Sequence, residues 1–421
     1  MQQNYDWAWV VEQAARTAET WRECGGSLPQ NGARFSSQQQ RDREAAYDEA
    51  LELVEDELER EPGSDAERML MRERLIAAFG LFSSRALDLE QAAIDLLTRE
   101  FLPVGAHLAQ RARSFDPELA MPGIIQACRN AWTACGLQPL VGERVQITPA
   151  ILGYSLLYPY SDNFLDDRDV PAEAKLRFSA RFRRRLHGYD VPAGNALEQA
   201  LWRSIELIEG QFERSRFPQV YNCLLSIHRA QERSMRQIDG QNHYSEAETL
   251  RLSCEKGGSS VLADACLARG SLTEQESRFA FEWGVLLQLG DDLQDVHEDL
   301  FRGSKTLFSD AAARAQPLDA LTVQLLRFAE HVAEQMDRLP EGSPTLKNLL
   351  KMSWQSLIIR AVADSQEFFS ARFVREAEQR SPFRFDFLRR RQQRIAARHG
   401  LYERMFEAFL AVPEARENVL V

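Results

Sequence analysis

Two groups of carboxylates stand about 130 positions apart in the chain, and in each group two aspartates are spaced by four residues. Asp162 and Asp166 form the first pair, and Asp291 and Asp295 form the second. Because a helix turns once every 3.6 residues, each pair lies on one helix face, one turn apart. Each pair also follows an apolar helical run, where a solvated acidic surface is not expected. The spacing therefore predicts two sites for divalent cations, and bound cations would in turn hold a diphosphate.

Neighbouring polar residues extend both groups. The predicted metal ligands are Asp162, Asp166, Asp167, Asp291, Asp292 and Asp295, and the residues that would add to them are Asn163, Glu298 and Asp299. A calcium-binding EF-hand does not explain the aspartates, because neither group has its ligand spacing or its glycine at the sixth loop position. One acidic run at a helix end is usually a solvated surface, whereas two with the same spacing favour metal binding.

The amino-acid composition disfavours several classes of protein. The chain has 421 residues, of which 44% are hydrophobic, so it can bury a sizeable core. Its formal net charge of -12 disfavours general nucleic-acid binding, since the phosphate backbone would be repelled. No signal peptide and no apolar run long enough to span a membrane is evident. The six cysteines form no CxxC pair, which is typical of reduced thiols and argues against structural zinc. We therefore expect a cytoplasmic protein, and the expected assembly is a monomer or a homodimer.

Helical periodicity dominates and no convincing strand is found, so the sequence predicts an all-α fold. Residues 1–90 are predicted to form a helical extension, and residues 91–421 one large α-helical domain. Thr148 followed by Pro149 is a strong helix start, and that helix leads into the first carboxylate group. Thr273 and Glu276 form a predicted capping box for the helix that leads into the second group.

The remaining helix predictions follow the same patterns. Asp65 is expected to cap one helix, and Pro103 to end another. The predicted helices cover about 41–60, 65–82, 87–101, 124–135, 173–186, 196–216, 218–238, 245–269, 318–339, 345–379 and 385–411.

The second carboxylate group and its surroundings resemble the class I isoprenoid synthases, which include trans-prenyltransferases, terpene synthases and squalene/phytoene synthase-like enzymes. Gln288 followed by Asp291, Asp292 and Asp295 is similar to the second aspartate-rich motif of that family. The segment 255–260, about 35 residues earlier, resembles the family's lysine segment, and 303–306 resembles its glycine–lysine turn. The resemblance covers roughly residues 124–310 and implies a helical bundle around a central apolar cavity.

Departures from the family pattern affect the expected reaction. Asn163 takes the second aspartate position of the first motif, where Asp167 is the compensating carboxylate. Pro171 and Ala172 stand where chain-elongating enzymes have an arginine pair, and no upstream segment resembles the one that holds isopentenyl diphosphate. These departures disfavour chain elongation and leave the ionisation of one allylic diphosphate intact.

The resemblance implies several Mg²⁺ ions, with Mn²⁺ as the alternative, and a prenyl diphosphate substrate. It also implies that Lys256 and Lys305 bind the diphosphate. Arg233 and Arg236 are predicted diphosphate ligands from position alone, because they continue a basic helix face, which a solvated stripe explains equally well. The predicted pocket residues are Tyr154, Tyr158, Phe164, Trp283 and Gln288. For any single aromatic residue among them, an ordinary core position is the alternative.

The favoured interpretation is a Mg²⁺-dependent class I terpene synthase, a lyase that converts a linear prenyl diphosphate to a terpene and releases diphosphate. One alternative is a prenyltransferase that joins two isoprenoid units, by chain elongation or by head-to-head squalene/phytoene-type condensation. Another is a non-catalytic regulatory subunit with the same fold.

Overall fold

The computed structural model describes residues 4–29, 32–167, 169–238 and 244–410, of which most are helical and none is in a strand. Within these ranges, the side chains at positions 166, 235–238, 399, 409 and 410 are not described. The predicted all-α class is confirmed for this part of the chain. No helix in these ranges is both long and apolar enough to cross a membrane.

The chain forms two compact units. The first contains Met1–Ala33 and Arg129–Arg380, and the second contains Arg34–Cys128 and Ser381–Val421. Each unit is therefore assembled from two separate stretches of sequence. The predicted division at residue 90 does not coincide with these boundaries.

Both carboxylate groups lie in the first unit, which is built from the following helices. They are α1 (Trp7–Glu23), the second part of α6 (Met121–Leu137), α7 (Pro149–Asp166), α8 (Ala172–Leu186), α9 (Ala196–Gln211), α10 (Pro218–Ile238), α11 (Glu246–Arg269), α12 (Glu274–Gln294), α13 (Val296–Arg302), α14 (Leu307–Ala313), α15 (Asp319–Asp337), α16 (Pro344–Asp364) and α17 (Ala371–Glu378). The most extensive helix pairings are α11 with α12, α7 with α9, and α10 with α11. Helix α12 also packs against α15 and α16, so its apolar side chains are buried on several sides.

The second unit consists of the first part of α6 with α2 (Ser37–Leu58), α3 (Asp65–Arg85), α4 (Gln91–Leu96), α5 (Leu102–Phe115), α18 (Phe385–Ala397) and α19 (His399–Leu410). Helix α19 packs against α2, α3 and α5. Leu58, Met71 and Leu75 form a buried cluster there, which removes their apolar surface from water.

The predicted starts of the two carboxylate-bearing helices are confirmed, whereas the second helix ends at Gln294 and not, as predicted, near Arg302. Thr148 accepts a hydrogen bond from the backbone N–H of Ile151 at 3.2 Å, and Pro149 opens α7. Thr273 and Glu276 form the predicted capping box of α12. After α13, Gly303 adopts a φ of 72°, a left-handed conformation that glycine tolerates without a Cβ clash.

The predicted cap of one helix and the predicted end of another are wrong. Ser64, not Asp65, caps α3. The helix does not stop before Pro103, because a π-helical segment, Leu97–Phe101, connects α4 to α5, and Pro103 lies in the first turn of α5, where a missing N–H costs little.

Two long helices predicted near the C-terminus are each divided into two shorter helices in the structure, so both predictions are wrong. The predicted helix 345–379 ends with α16, and the chain passes through the short 3₁₀ segment Gln366–Phe368 before Ser370 caps α17. The predicted helix 385–411 is interrupted at Arg398, between α18 and α19.

Candidate functional site

Helix α12 positions the second carboxylate group at its C-terminal end. Asp291 and Asp292 lie in its last turn, Asp295 is the residue that ends it, and Asp299 follows on α13. The preceding turns of α12 are buried against α11, α15 and α16, and this packing fixes the positions of the carboxylates at the end of the helix. Four carboxylates thus lie within nine residues of sequence at the end of α12 and in α13.

Asp292 is the most enclosed of these carboxylates, with 6% of its surface exposed. Gln288 donates a hydrogen bond to it from Nε2 at 2.8 Å, and Ser253 donates one from Oγ at 3.0 Å. Burial nevertheless raises the pKa of Asp292 to about 7, because desolvation disfavours the charged carboxylate. Gln288, predicted as a pocket residue, therefore orients a carboxylate, and Ser253 is a partner that the sequence did not reveal.

The neighbouring carboxylates also hold their protons more tightly than usual. Burial, followed by the charges of Asp291 and Glu298, raises the pKa of Asp295 to about 6. Burial and the charge of Asp295 raise the pKa of Asp299 to about 6, although Thr306 donates a hydrogen bond to it. The group therefore carries crowded negative charge in a partly desolvated place, and a divalent cation would relieve both penalties.

Two basic side chains face this group. Lys256 on α11 lowers the pKa values of Asp291, Asp292 and Asp299, although burial outweighs it and all three stay raised. The positive charge of Arg129 on α6 likewise lowers the pKa values of Asp291 and Asp295. Lys256 is a predicted site residue, whereas Arg129 is not, because it comes from a helix with no recognisable motif.

The chemistry of these side chains fits magnesium. Carboxylate oxygens are its preferred protein ligands, and Mg²⁺ typically takes one or two of them and completes its shell with waters and substrate phosphates. Across the described residues, no three His, Cys, Asp or Glu side chains converge as they would around a fully protein-bound ion.

The other predicted diphosphate ligands are differently placed. Lys305 donates a hydrogen bond from Nζ to the carbonyl oxygen of Tyr244 at 2.9 Å and lies 3.7 Å from a carboxylate oxygen of Asp310. Arg233 donates from Nε to the buried Glu255 at 2.9 Å, which gives it a structural role next to Lys256. The side chain of Arg236 lies outside the described part of the structure.

The first carboxylate group is at the end of α7. Asp162 is half-buried and accepts hydrogen bonds at Oδ1 from Ser161 Oγ at 3.1 Å and Gln231 Nε2 at 3.2 Å. Asn163 instead donates to the carbonyl oxygen of Pro159 within its own helix at 2.8 Å. Asp167 is exposed and accepts from the backbone N–H of Asp169.

The side chain of Asp166 is not described, so only Asp162 of the predicted pair can be placed. Glu298, predicted to add to the second group, is half exposed and pairs with Arg302.

A pocket of about 470 Å³, including its open mouth, lies against Asp162. Its walls come from α7, α8 and α10, and most of the lining side chains are apolar or aromatic: Tyr154, Leu157, Tyr158, Ser161, Asp162, Leu165, Phe182, Leu186, Leu224, Ile227, His228 and Gln231. Tyr154 and Tyr158, two of the predicted pocket residues, line this pocket. Phe164 packs on Phe178 with ring centroids 5.0 Å apart, and Trp283 packs between Phe279 and Trp354, so neither belongs to this lining.

The hydroxyl groups of two pocket tyrosines form a polar cluster with Ser260. The hydroxyl of Tyr158 lies 2.8 Å from Ser260 Oγ and donates to the hydroxyl of Tyr154 at 3.2 Å. His228 is buried beside Ser179, and desolvation lowers its pKa although Glu232 raises it. These contacts hold the pocket-lining side chains of Tyr154, Tyr158 and His228 in place against α11 and α8.

A buried carboxyl, Asp264 on α11, lies near this wall. Both of its oxygens accept from Asn130 Nδ2 at 3.3 Å, and Asn130 Oδ1 accepts from Ser155 Oγ at 3.0 Å. Burial raises the pKa of Asp264 well above the usual value, and the Asn130 hydrogen bond offsets only part of this effect. Sequence reasoning did not single out Asp264, because a lone aspartate in a helix carries no motif.

No protein-family model matches the chain, and no curated protein matches its sequence.

Proposed function

We propose that the chain is a Mg²⁺-dependent class I terpene synthase, which ionises a linear prenyl diphosphate and converts the allylic cation to a terpene with release of diphosphate. The observation that supports this proposal is the carboxylate group at the end of α12. Asp291, Asp292, Asp295 and Asp299 are held there with raised pKa values beside Lys256. Carboxylates with raised pKa values beside a basic side chain are typical of functional sites, and a cation–diphosphate complex would be bound by this arrangement.

Each side chain has a defined task in such a reaction. Bound Mg²⁺ supplies neutralisation of the charge that develops on the leaving diphosphate. Asp291, Asp292 and Asp295 would hold the ions, with Gln288 and Ser253 keeping Asp292 in place. The positive charges of Lys256 and Arg129 would assist in binding the diphosphate oxygens.

The pocket beside Asp162 supplies the other requirement, which is a water-poor surface for the cation. Leu157, Leu165 and Leu224 present apolar walls that shield a hydrocarbon chain from solvent. The ring faces of Tyr154 and Tyr158 would stabilise positive charge through their π electrons. Asp162 lines this pocket. We further propose that one cavity connects the pocket to the α12 carboxylates.

The test is incubation of the purified protein with Mg²⁺ and geranyl, farnesyl, geranylgeranyl or longer diphosphates, each with and without isopentenyl diphosphate. Products are identified by gas chromatography–mass spectrometry. We expect a cyclic or rearranged product from one substrate alone. A longer diphosphate formed only with isopentenyl diphosphate would establish a prenyltransferase instead. Diphosphate binding without turnover of any substrate would establish a non-catalytic protein.

Site variants test the assignment of the ligands. Asp291→Asn and Asp295→Asn should each lower turnover by roughly 10²-fold or more, because an amide is a poor ligand for a hard cation. The matched control is Asp56→Asn, an exposed aspartate on α2, which should retain activity. Full Mg²⁺-dependent activity in both site variants would show that the α12 carboxylates are not the metal ligands.

A further inference from the structure

Two cysteines from neighbouring helices touch in the core of the first unit. Cys223 on α10 and Cys266 on α11 place their Sγ atoms 3.1 Å apart, and neither residue is exposed to solvent. All six cysteines of the chain are free thiols in this structure. The short distance is therefore a contact between two free thiols.

The geometry is close to that of a covalent bridge. Two bonded sulfurs lie roughly 2.04 Å apart, so the observed separation exceeds a disulfide bond by only about 1 Å. The other buried thiols are arranged differently. Cys128 lies 3.9 Å from the carbonyl oxygen of Gly105, and Cys135 lies 3.7 Å from that of Gln146. The sulfur–sulfur contact thus distinguishes Cys223 and Cys266 from cysteines that merely fill the core.

We propose that Cys223 and Cys266 form a disulfide that links α10 to α11. The oxidant is a small-molecule disulfide such as oxidised glutathione. One protein thiolate attacks it, which forms a mixed disulfide and releases one reduced thiol. The second protein thiolate then attacks the protein-bound sulfur of the mixed disulfide, which closes the bridge and releases the second reduced thiol. The two protein thiols lose two protons and two electrons, and the oxidant gains both.

Burial determines when this exchange occurs. Desolvation raises the pKa of Cys223 well above its ordinary value, so very little thiolate exists in the folded protein. The oxidant also cannot reach a sulfur that is fully enclosed. The bridge therefore forms while α10 and α11 are still separating or assembling, and the folded core afterwards protects it from reductants.

The bridge would act on helices that carry site residues. Helix α10 contributes Gln231, which donates to Asp162, and helix α11 contributes Lys256. Closing a covalent loop over residues 224–265 restricts the unfolded chain more than the folded one, which stabilises the fold. This inference does not rest on the proposed function, since it concerns the α10–α11 contact alone.

The experiment uses the full chain, unfolded in denaturant and refolded with either oxidised glutathione or excess dithiothreitol. Each sample is unfolded again, alkylated with iodoacetamide, and analysed by intact mass and peptide mapping. We expect the oxidised sample to carry two fewer alkyl groups than the reduced one, with the peptides of Cys223 and Cys266 linked. Full alkylation of all cysteines, or a bridge to a different cysteine, would overturn the proposal.

Two variants make the assignment specific. Cys254→Ser removes another fully buried thiol and should leave the bridge and its mass signature unchanged. Cys266→Ser should abolish the bridge. The thermal midpoint of the oxidised wild-type protein should exceed that of its reduced form by several degrees, and oxidised glutathione should not raise the midpoint of Cys266→Ser. An equal shift in both proteins would refute a stabilising bridge at this position.

Discussion

Gly257 on α11 and Gly284 on α12 bring the backbones of the two helices into direct contact. A Cβ atom on either glycine would overlap the carbonyl oxygen of the other. Glycine is the one residue that permits so close an approach, because it lacks that atom. The contact places α11, with Ser253 and Lys256, near the carboxylates at the end of α12. The helix crossing is therefore part of what positions the candidate site.

Gly284→Ala tests this helix crossing. The added methyl group meets backbone rather than a flexible side chain, so α11 and α12 must separate. We expect a loss of about 3 kcal/mol in the free energy of unfolding, measured by urea denaturation, the size typical of severe overpacking.

The matched control is Gly210→Ala in α9, where a Cβ atom would meet nothing within 4 Å. Alanine is the better helix former, so this variant should be neutral or more stable by up to about 1 kcal/mol. Equal stability in the two variants would show that the α11–α12 contact can relax.

Local sequence signals predicted much of the fold because helix ends depend on a few adjacent residues. The starts of α7 and α12 follow from Thr148 and Thr273, whose side chains cap the first turn. Predictions failed where tertiary context prevailed. Pro103 was expected to end a helix, and a π-helical segment accommodates it instead. The break at Ser365 has no strong breaker residue in the sequence.

The candidate site was predictable to the extent that it lies on one helix. The spacing of Asp291 and Asp295 indicates their shared face, because helical geometry alone fixes it. Arg129, Ser253 and Asp264 were missed, since each reaches its position through packing between separate helices. Arg233 was assigned to diphosphate binding from its helix face, whereas its contact with Glu255 could be known only from the structure.

The α12 carboxylates should make the metal-free protein less stable as the pH rises. The pKa of Asp292 is raised from 3.8 to about 7, so the folded state keeps a proton that the unfolded chain releases above pH 4. The contribution of Asp292 to stability is therefore full below about pH 4 and is lost as the pH rises to about 7, by on the order of 4 kcal/mol for this group. Chemical denaturation at pH 5 and pH 8 in the presence of a chelator measures the difference.

Asp292→Asn provides the comparison for that measurement. The amide cannot ionise, so the variant should lose less stability between pH 5 and pH 8 than the wild type. Mg²⁺ at pH 8 should stabilise the wild type more than the variant, since a bound cation offsets the carboxylate charge. Identical pH profiles would show that Asp292 is ionised in the folded protein at pH 5.

The contact between Arg233 and Glu255 can be tested by a double-mutant cycle. Glu255 is 1% exposed and lies 3.6 Å from Arg251, so removing Arg233 leaves a buried carboxylate with one more distant partner. Arg233→Ala should cost about 2 kcal/mol, because an uncompensated buried charge is unfavourable. In a Glu255→Gln background, the same substitution should cost clearly less. Equal costs in both backgrounds would mean that the ion pair contributes nothing, and Arg233 would again be a candidate diphosphate ligand.

The buried carboxyl of Asp264 should add a second pH dependence to the free energy of unfolding. Burial raises its pKa well above the ordinary value, and Asn130 donates the hydrogen bonds that its oxygens receive. The folded protein therefore holds Asp264 as a neutral acid, whereas the unfolded chain ionises it above about pH 4. Stability should fall with rising pH by up to about 1.4 kcal/mol per pH unit over the range in which only the unfolded chain is ionised.

Asp264→Asn removes that ionisation while keeping an oxygen that can accept from Asn130. At pH 5 the variant should be close to the wild type in the free energy of unfolding, and at pH 8 it should be more stable. Asp56→Asn, on the exposed face of α2, should leave the pH slope unchanged. If Asp264→Asn instead destabilised the protein equally at both pH values, the buried carboxyl would have to be ionised in the folded state. A cation or a proton donor would then have to lie against it.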